Sequence, residues 1–102
     1  MIAWRLYTEQ RANLPGLVRY YFDGATIYPG VGIWRGVSEP CAVIEILAGS
    51  DCGTEEKIHE LAADIRRTND QTTVLVVAQT VQVAELTGAP DSGHETATEV
   101  EA

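Results

Sequence analysis

Residues 41–79 read CAVIEILAGSDCGTEEKIHELAADIRRTNDQTTVLVVAQ, and their order decides the fold. Cys41–Leu47 is apolar at every place but Glu45, as expected of a strand covered on at least one face. The loop Ala48–Gly53 follows. A helix then starts with Thr54 as N-cap, and Glu55 and Glu56 complement its N-terminal dipole. Ile58, Leu61, Ala62 and Ile65 fall on one stripe, Arg66 and Arg67 suit the C-terminal end, and Asn69-Asp70 closes it. Thr72–Gln79 is rich in Val and Thr and reads as another strand. The unit is β-α-β.

Upstream the same order repeats. Ile2–Tyr7 alternates, with Ile2, Trp4 and Leu6 on one face and Ala3, Arg5 and Tyr7 on the other. Asn13 is placed to cap a helix in which Leu14, Leu17, Val18 and Tyr21 form a stripe, Pro15 being tolerated in the first turn. Asp23-Gly24 ends it. A strand through Ala25–Tyr28 is expected to bend or bulge at Pro29-Gly30 before Val31–Arg35, with Gly36–Pro40 as a turn. The whole is βαββαβ: an α+β, ferredoxin-like sandwich, a four-stranded antiparallel sheet with two helices on one face and the first and third strands central. The competing arrangement is another α+β sandwich in which Asn13–Phe22 is a loop.

The chain has 102 residues and a formal net charge of −8, enough for one domain. Residues 1–86 hold eleven acids and all seven bases, a balance of −4. Residues 87–102 hold four acids and no base, another −4, and are too polar to offset their ordering entropy; they are expected to be a disordered tail beside a domain at 1–86. The acidic excess disfavours nucleic acid and anionic membranes as partners. No run of 18 apolar residues spans a bilayer, and the first residues lack the pattern of a signal peptide, so a cytoplasmic location is expected.

With this pairing, the sheet face away from the helices is too apolar to stand in water. It would show Tyr7, Val43, Leu47, Leu75 and Val77, with Trp34 or Tyr28 from the second strand. A second copy packing sheet to sheet is the simplest cover, making a homo-oligomer, normally a dimer; a small-molecule pocket at that face, or the tail folded over it, are the alternatives. Glu45 is costly there unless paired, and Arg5 is its expected partner. The candidate catalytic residues are therefore Glu45, Arg5 and Tyr7, and the candidate ligand-binding residues are Trp34, Tyr28 and Val43.

Other signals are weak. Cys41 and Cys52, separated by ten residues, match no metal or redox spacing. Cys41 reads as a small buried hydrophobe, and a disulfide between the two is disfavoured. His59 and His94 form no ligand pair, so no metal and no cofactor are implied. Gly30-Val31-Gly32 does not stand between a strand and a helix, the context a phosphate loop needs. Ser38 and Ser50 lack a partnered base.

Asp23, Gly24, Thr26, Gly30, Gly32, Trp34, Glu39, Gln71, Val74 and Leu75 together resemble a family of small bacterial and phage proteins. That family carries Asp-Gly-x-Thr, Gly-x-Gly-x-Trp, a downstream Glu, and Gln before Val-Leu. The likeness covers about half of the chain. It implies the same fold and carries no assigned activity. Two functions are left: an oligomeric binding or interaction module using the open sheet face, or a small enzyme of the dimeric α+β barrel type with a cavity lined by Arg5, Tyr7, Trp34 and Glu45.

Overall fold

The computed structural model describes residues 1–49 and 51–88. Its elements are β1 (Ile2–Glu9), α1 (Leu14–Tyr21), β2 (Thr26–Trp34), β3 (Val37–Ala48), α2 (Cys52–Thr68) and β4 (Leu75–Thr80). The sheet order is β2-β3-β1-β4, every pairing antiparallel, with the first and third strands in the centre. This is the expected βαββαβ sandwich, and α1 forms, which removes the alternative with a loop there. The expected acidic tail, apart from Thr87 and Gly88, lies outside the described residues.

Alternation along the central strands places Trp4 and Leu6 of β1 beside Ala42, Ile44 and Ile46 of β3. Leu14 and Val18 of α1 and Ile58, Leu61 and Ile65 of α2 close over them. Seven large aliphatic side chains among these are almost wholly buried, a core that stabilises by roughly 1.5–3 kcal/mol for each before entropy is counted. Val74 and Val76 pack at its margin. The two helices are tied by the Tyr21 hydroxyl, which donates to the Asp64 carboxylate.

Several local expectations are corrected. Asp51, not Thr54, caps α2: its Oδ1 accepts from the Thr54 backbone N–H at 2.8 Å and its Oδ2 from the Thr54 hydroxyl at 3.1 Å. Asn13 precedes α1 but makes no capping bond. Its backbone is already helical, and its Nδ2 donates instead to Asn69 Oδ1 at 2.7 Å. β2 runs through Pro29-Gly30 without a bulge, because β2 is an edge strand and can leave a missing N–H on its outer side.

Gly36–Pro40 is not a turn. Arg35 and Gly36, at φ 50° and 79°, alone reverse the chain, and Val37–Pro40 already belongs to β3. Positive φ at both positions gives the tight hairpin turn whose twist matches that of the strands. The last β1–β3 pair is Glu9 with Cys41, so the pairs from Val31–Pro40 to Trp34–Val37 project beyond the four-stranded sheet. This arm is about 13 Å long at ~3.3 Å per residue.

Candidate functional site

The register aligns the open face in rows. One row is Val77, Arg5, Glu45 and Thr26; the next is Leu75, Tyr7, Val43 and Tyr28; a third is Gln79, Ala3 and Leu47. Tyr7, Tyr28, Leu47, Leu75 and Val77 are all exposed, while Val43 is buried between the two tyrosines that flank it in register. No described residue covers the face, which is mostly apolar.

Its centre is charged. Arg5 Nε donates to Glu45 Oε2 at 2.9 Å, and Arg5 Nη1 donates to Gln79 Oε1, also at 2.9 Å. Both ionic side chains are about a quarter exposed (26% and 27%), so neither is stranded in the interior. The hydrogen bond to Glu45 raises the Arg5 pKa above its ordinary value, against the opposing cost of desolvation. Among the described residues, Glu45 Oε1 and Arg5 Nη2 make no further hydrogen bond. A free acceptor and a free donor thus lie side by side in an apolar surround. Next to them is a shallow hollow of about 230 Å³ lined by Gly24, Ala25, Thr26, Glu45 and Leu47.

Of the residues singled out from sequence, Arg5, Tyr7, Tyr28, Val43 and Glu45 meet on this face. Trp34 does not. It pairs with Val37 at the tip of the arm, eight residues along β3 from Glu45, about 26 Å away. The sequence reading missed Gln79, which holds the guanidinium from β4, and the Gly24–Thr26 segment that walls the hollow. Gln79 was legible as the polar end of an alternating strand, whereas the hollow depends on where the α1–β2 connection crosses and has no local signal.

Cys41 and Cys52 are free, Cys41 being half-buried and Cys52 exposed. No group of three or more His, Cys, Asp or Glu among the described residues could hold a metal ion. No described helix is long and apolar enough to cross a membrane.

No family model matches the sequence, and no curated protein matches it. Solved structures do. The chain is similar to a phage SAM lyase in complex with S-methyl-5'-thioadenosine, at 15% identity and a TM-score of 0.63, over 76% of this chain and 79% of that one. It is similar to a phage SAM lyase in the apo state at 17% identity and a TM-score of 0.61, over 76% and 78%. At these identities the likeness establishes a shared fold.

Proposed function

We propose that this chain is a small oligomeric binding protein whose open sheet face takes an S-adenosylmethionine-type ligand at Arg5 and Glu45, and that it cleaves this ligand as a lyase. The observation that carries the reading is the Arg5–Glu45 pair. It keeps one donor and one acceptor unused in the middle of an apolar, aromatic-flanked surface. An amino-acid head group, with its ammonium and carboxylate, is the complement of that arrangement. Tyr7 and Tyr28 beside it are suited to a sulfonium and to a nucleoside ring. The fold shared with the lyases supports the same ligand class.

The chemistry sets limits on the roles. In the cleavage, the bond from sulfur to the amino-acid side-chain carbon breaks and its pair goes to sulfur, giving the neutral thioether. The ligand's own carboxylate oxygen bonds to the vacated carbon and closes a lactone, so that the sulfonium and carboxylate charges cancel and no protein base is needed. An apolar surround favours that step, whereas a carboxylate at the sulfur would stabilise the starting cation. Glu45 therefore serves the ammonium end, as a binding group, with Arg5 at the carboxylate. Neither removes a proton.

The interaction-module reading rests on a different observation: five exposed apolar side chains surround the pair, more than a solvated sheet face carries. It does not compete, since a seam between copies can enclose the ligand. Calorimetry with S-adenosylmethionine and with S-methyl-5'-thioadenosine tests binding, and chromatography with mass detection tests for thioether product. Binding of S-adenosylmethionine that weakens at least tenfold in Glu45→Gln while the fold persists, with S-methyl-5'-thioadenosine, which lacks the head group, little affected, is the expected result. No heat with either compound at millimolar concentration would remove the reading.

A further inference from the structure

The arm is the largest feature that the ligand site leaves unexplained. Val31 and Ile33 project from one side of it and Trp34 and Val37 from the other, all between 65% and 75% exposed. A two-stranded ribbon with bare apolar faces is marginal in water unless something packs on it. Trp34 has only the guanidinium of its neighbour Arg35 over its ring, at 5.5 Å.

Area and charge indicate what packs there. Trp34 and Val37, the one side of the arm that can lie on a face, and the five side chains of the open face leave roughly 700 Å² of apolar surface at their exposed fractions, large aromatic side chains burying 150–250 Å² each. A stable protein interface takes about 600–1,000 Å² from each partner. Among the described residues neither surface reaches the other within one chain, because the arm runs on past the end of β1 and its tip lies about 26 Å along the strand from the Arg5–Glu45 row. Charge permits the meeting of two copies: the open face holds its acid and base as a pair, and the arm tip carries Arg35 in a molecule of net charge −8.

We propose that the β2–β3 arm of one copy docks its tip on the open sheet face of a second copy, bringing Trp34 against the Tyr7–Tyr28 row and over the Arg5–Glu45 pair. This deepens the ligand-binding reading and rests on it. It supplies the aromatic wall that Trp34 cannot provide to its own site, and it makes each site incomplete without a partner. A reciprocal pair or a closed ring satisfies the contact.

Light scattering on the full chain across a concentration series tests it. The wild type is expected above monomer mass, with the emission of exposed Trp34 shifting to the blue on association. Trp34→Ser with Val37→Ser touches nothing in the core and should weaken association at least tenfold. So should Leu75→Lys on the open face. An equimolar mixture of these two variants should assemble where each alone is monomeric, since an intact arm then meets an intact face.

An arm variant that assembles like the wild type overturns the arm contact while leaving ligand binding, read separately by calorimetry, untouched. Loss in the arm variant but not in Leu75→Lys means that the arm docks elsewhere, and it too overturns the proposal. Failure of the mixture to assemble replaces arm-on-face by like-on-like packing. A wild type that stays monomeric at every concentration removes the proposal outright.

Discussion

Thr8 on β1 and Gln71 in the α2–β4 connection clasp each other in the interior. The Thr8 hydroxyl donates to Gln71 Oε1 at 2.9 Å, and Gln71 Nε2 donates back to Thr8 Oγ1 at 2.8 Å. Gln71 Oε1 also accepts the Glu9 backbone N–H at 3.2 Å. Both residues are buried, so one side chain closes the lower end of β1 onto the chain leaving α2. The clasp fixes where β4 starts, and hence the register that sets Gln79 beside Arg5.

Thr8→Val keeps the shape and removes the hydroxyl, leaving the Gln71 amide N–H groups buried and unpaired. The expected cost is about 1–3 kcal/mol in denaturant unfolding, whereas Thr8→Ser should stay close to wild type. Equal stabilities for the Val and Ser variants would show that the clasp does not hold β4.

The Tyr21–Asp64 bond between the helices makes stability fall in alkali. Hydrogen bonding to the Asp64 carboxylate, followed by burial, pushes the Tyr21 pKa up to about 12 from an ordinary 10. The native state thus keeps a proton that the unfolded state loses, and stability is fully present below pH 10 and declines as pH rises towards 12. Tyr21→Phe should flatten that decline in thermal melts between pH 9 and 12. Titration of tyrosinate absorbance should show one phenol fewer at high pH. A variant as alkali-sensitive as the wild type would assign the decline to another group.

How far the sequence could be read depended on how local each signal was. Glu45 stood alone in an apolar strand and Arg5 alternated with Trp4 and Leu6, so their meeting followed from strand order and period two. The α2 cap was misassigned because Gly53 weakens the first turn, although Asp51 three residues before Thr54 is itself a strong capping pattern. Val37–Pro40 was read as a turn because Ser38 and Pro40 are turn formers. β1 ends at Glu9, and only Gln10, whose N–H donates to the Pro40 carbonyl at 3.4 Å, follows it, so Pro40 stands where the four-stranded ladder runs out and its missing N–H costs little. Placing Trp34 with Glu45 failed for the same reason: only the shortness of the turn reveals how far the arm extends.

That turn gives a local prediction. Gly36 sits at φ 79°, a conformation that costs a residue with a Cβ roughly 1–2 kcal/mol. The arm lies outside the core, so the strain falls on the arm and not on global unfolding. Gly36→Val should speed amide exchange at Ile33 and Trp34 several-fold while the denaturation midpoint moves little. Arg35→Asn, which suits the neighbouring positive φ, should slow it. A shift of the global midpoint as large as the local one would make the arm part of the cooperative core.

At the other end of the molecule, Asp51 links the start of α2 to pH. Its carboxylate takes the backbone N–H and then the hydroxyl of Thr54, and these bonds hold its pKa below the ordinary 3.8. A depressed carboxylate stabilises the folded state above its unfolded pKa, and that contribution is lost as pH falls through the lower, folded value. Asp51→Asn keeps an acceptor for the Thr54 N–H and should lose only the acid dependence. Asp51→Ala should lower the melting temperature by a few degrees at every pH and fray the first turn. Circular dichroism melts from pH 6 down to about pH 2 separate the two variants, because the loss begins below the ordinary 3.8. If the Asn variant falls with acid as steeply as the wild type, the sensitivity belongs to another carboxylate and the cap is held by geometry alone.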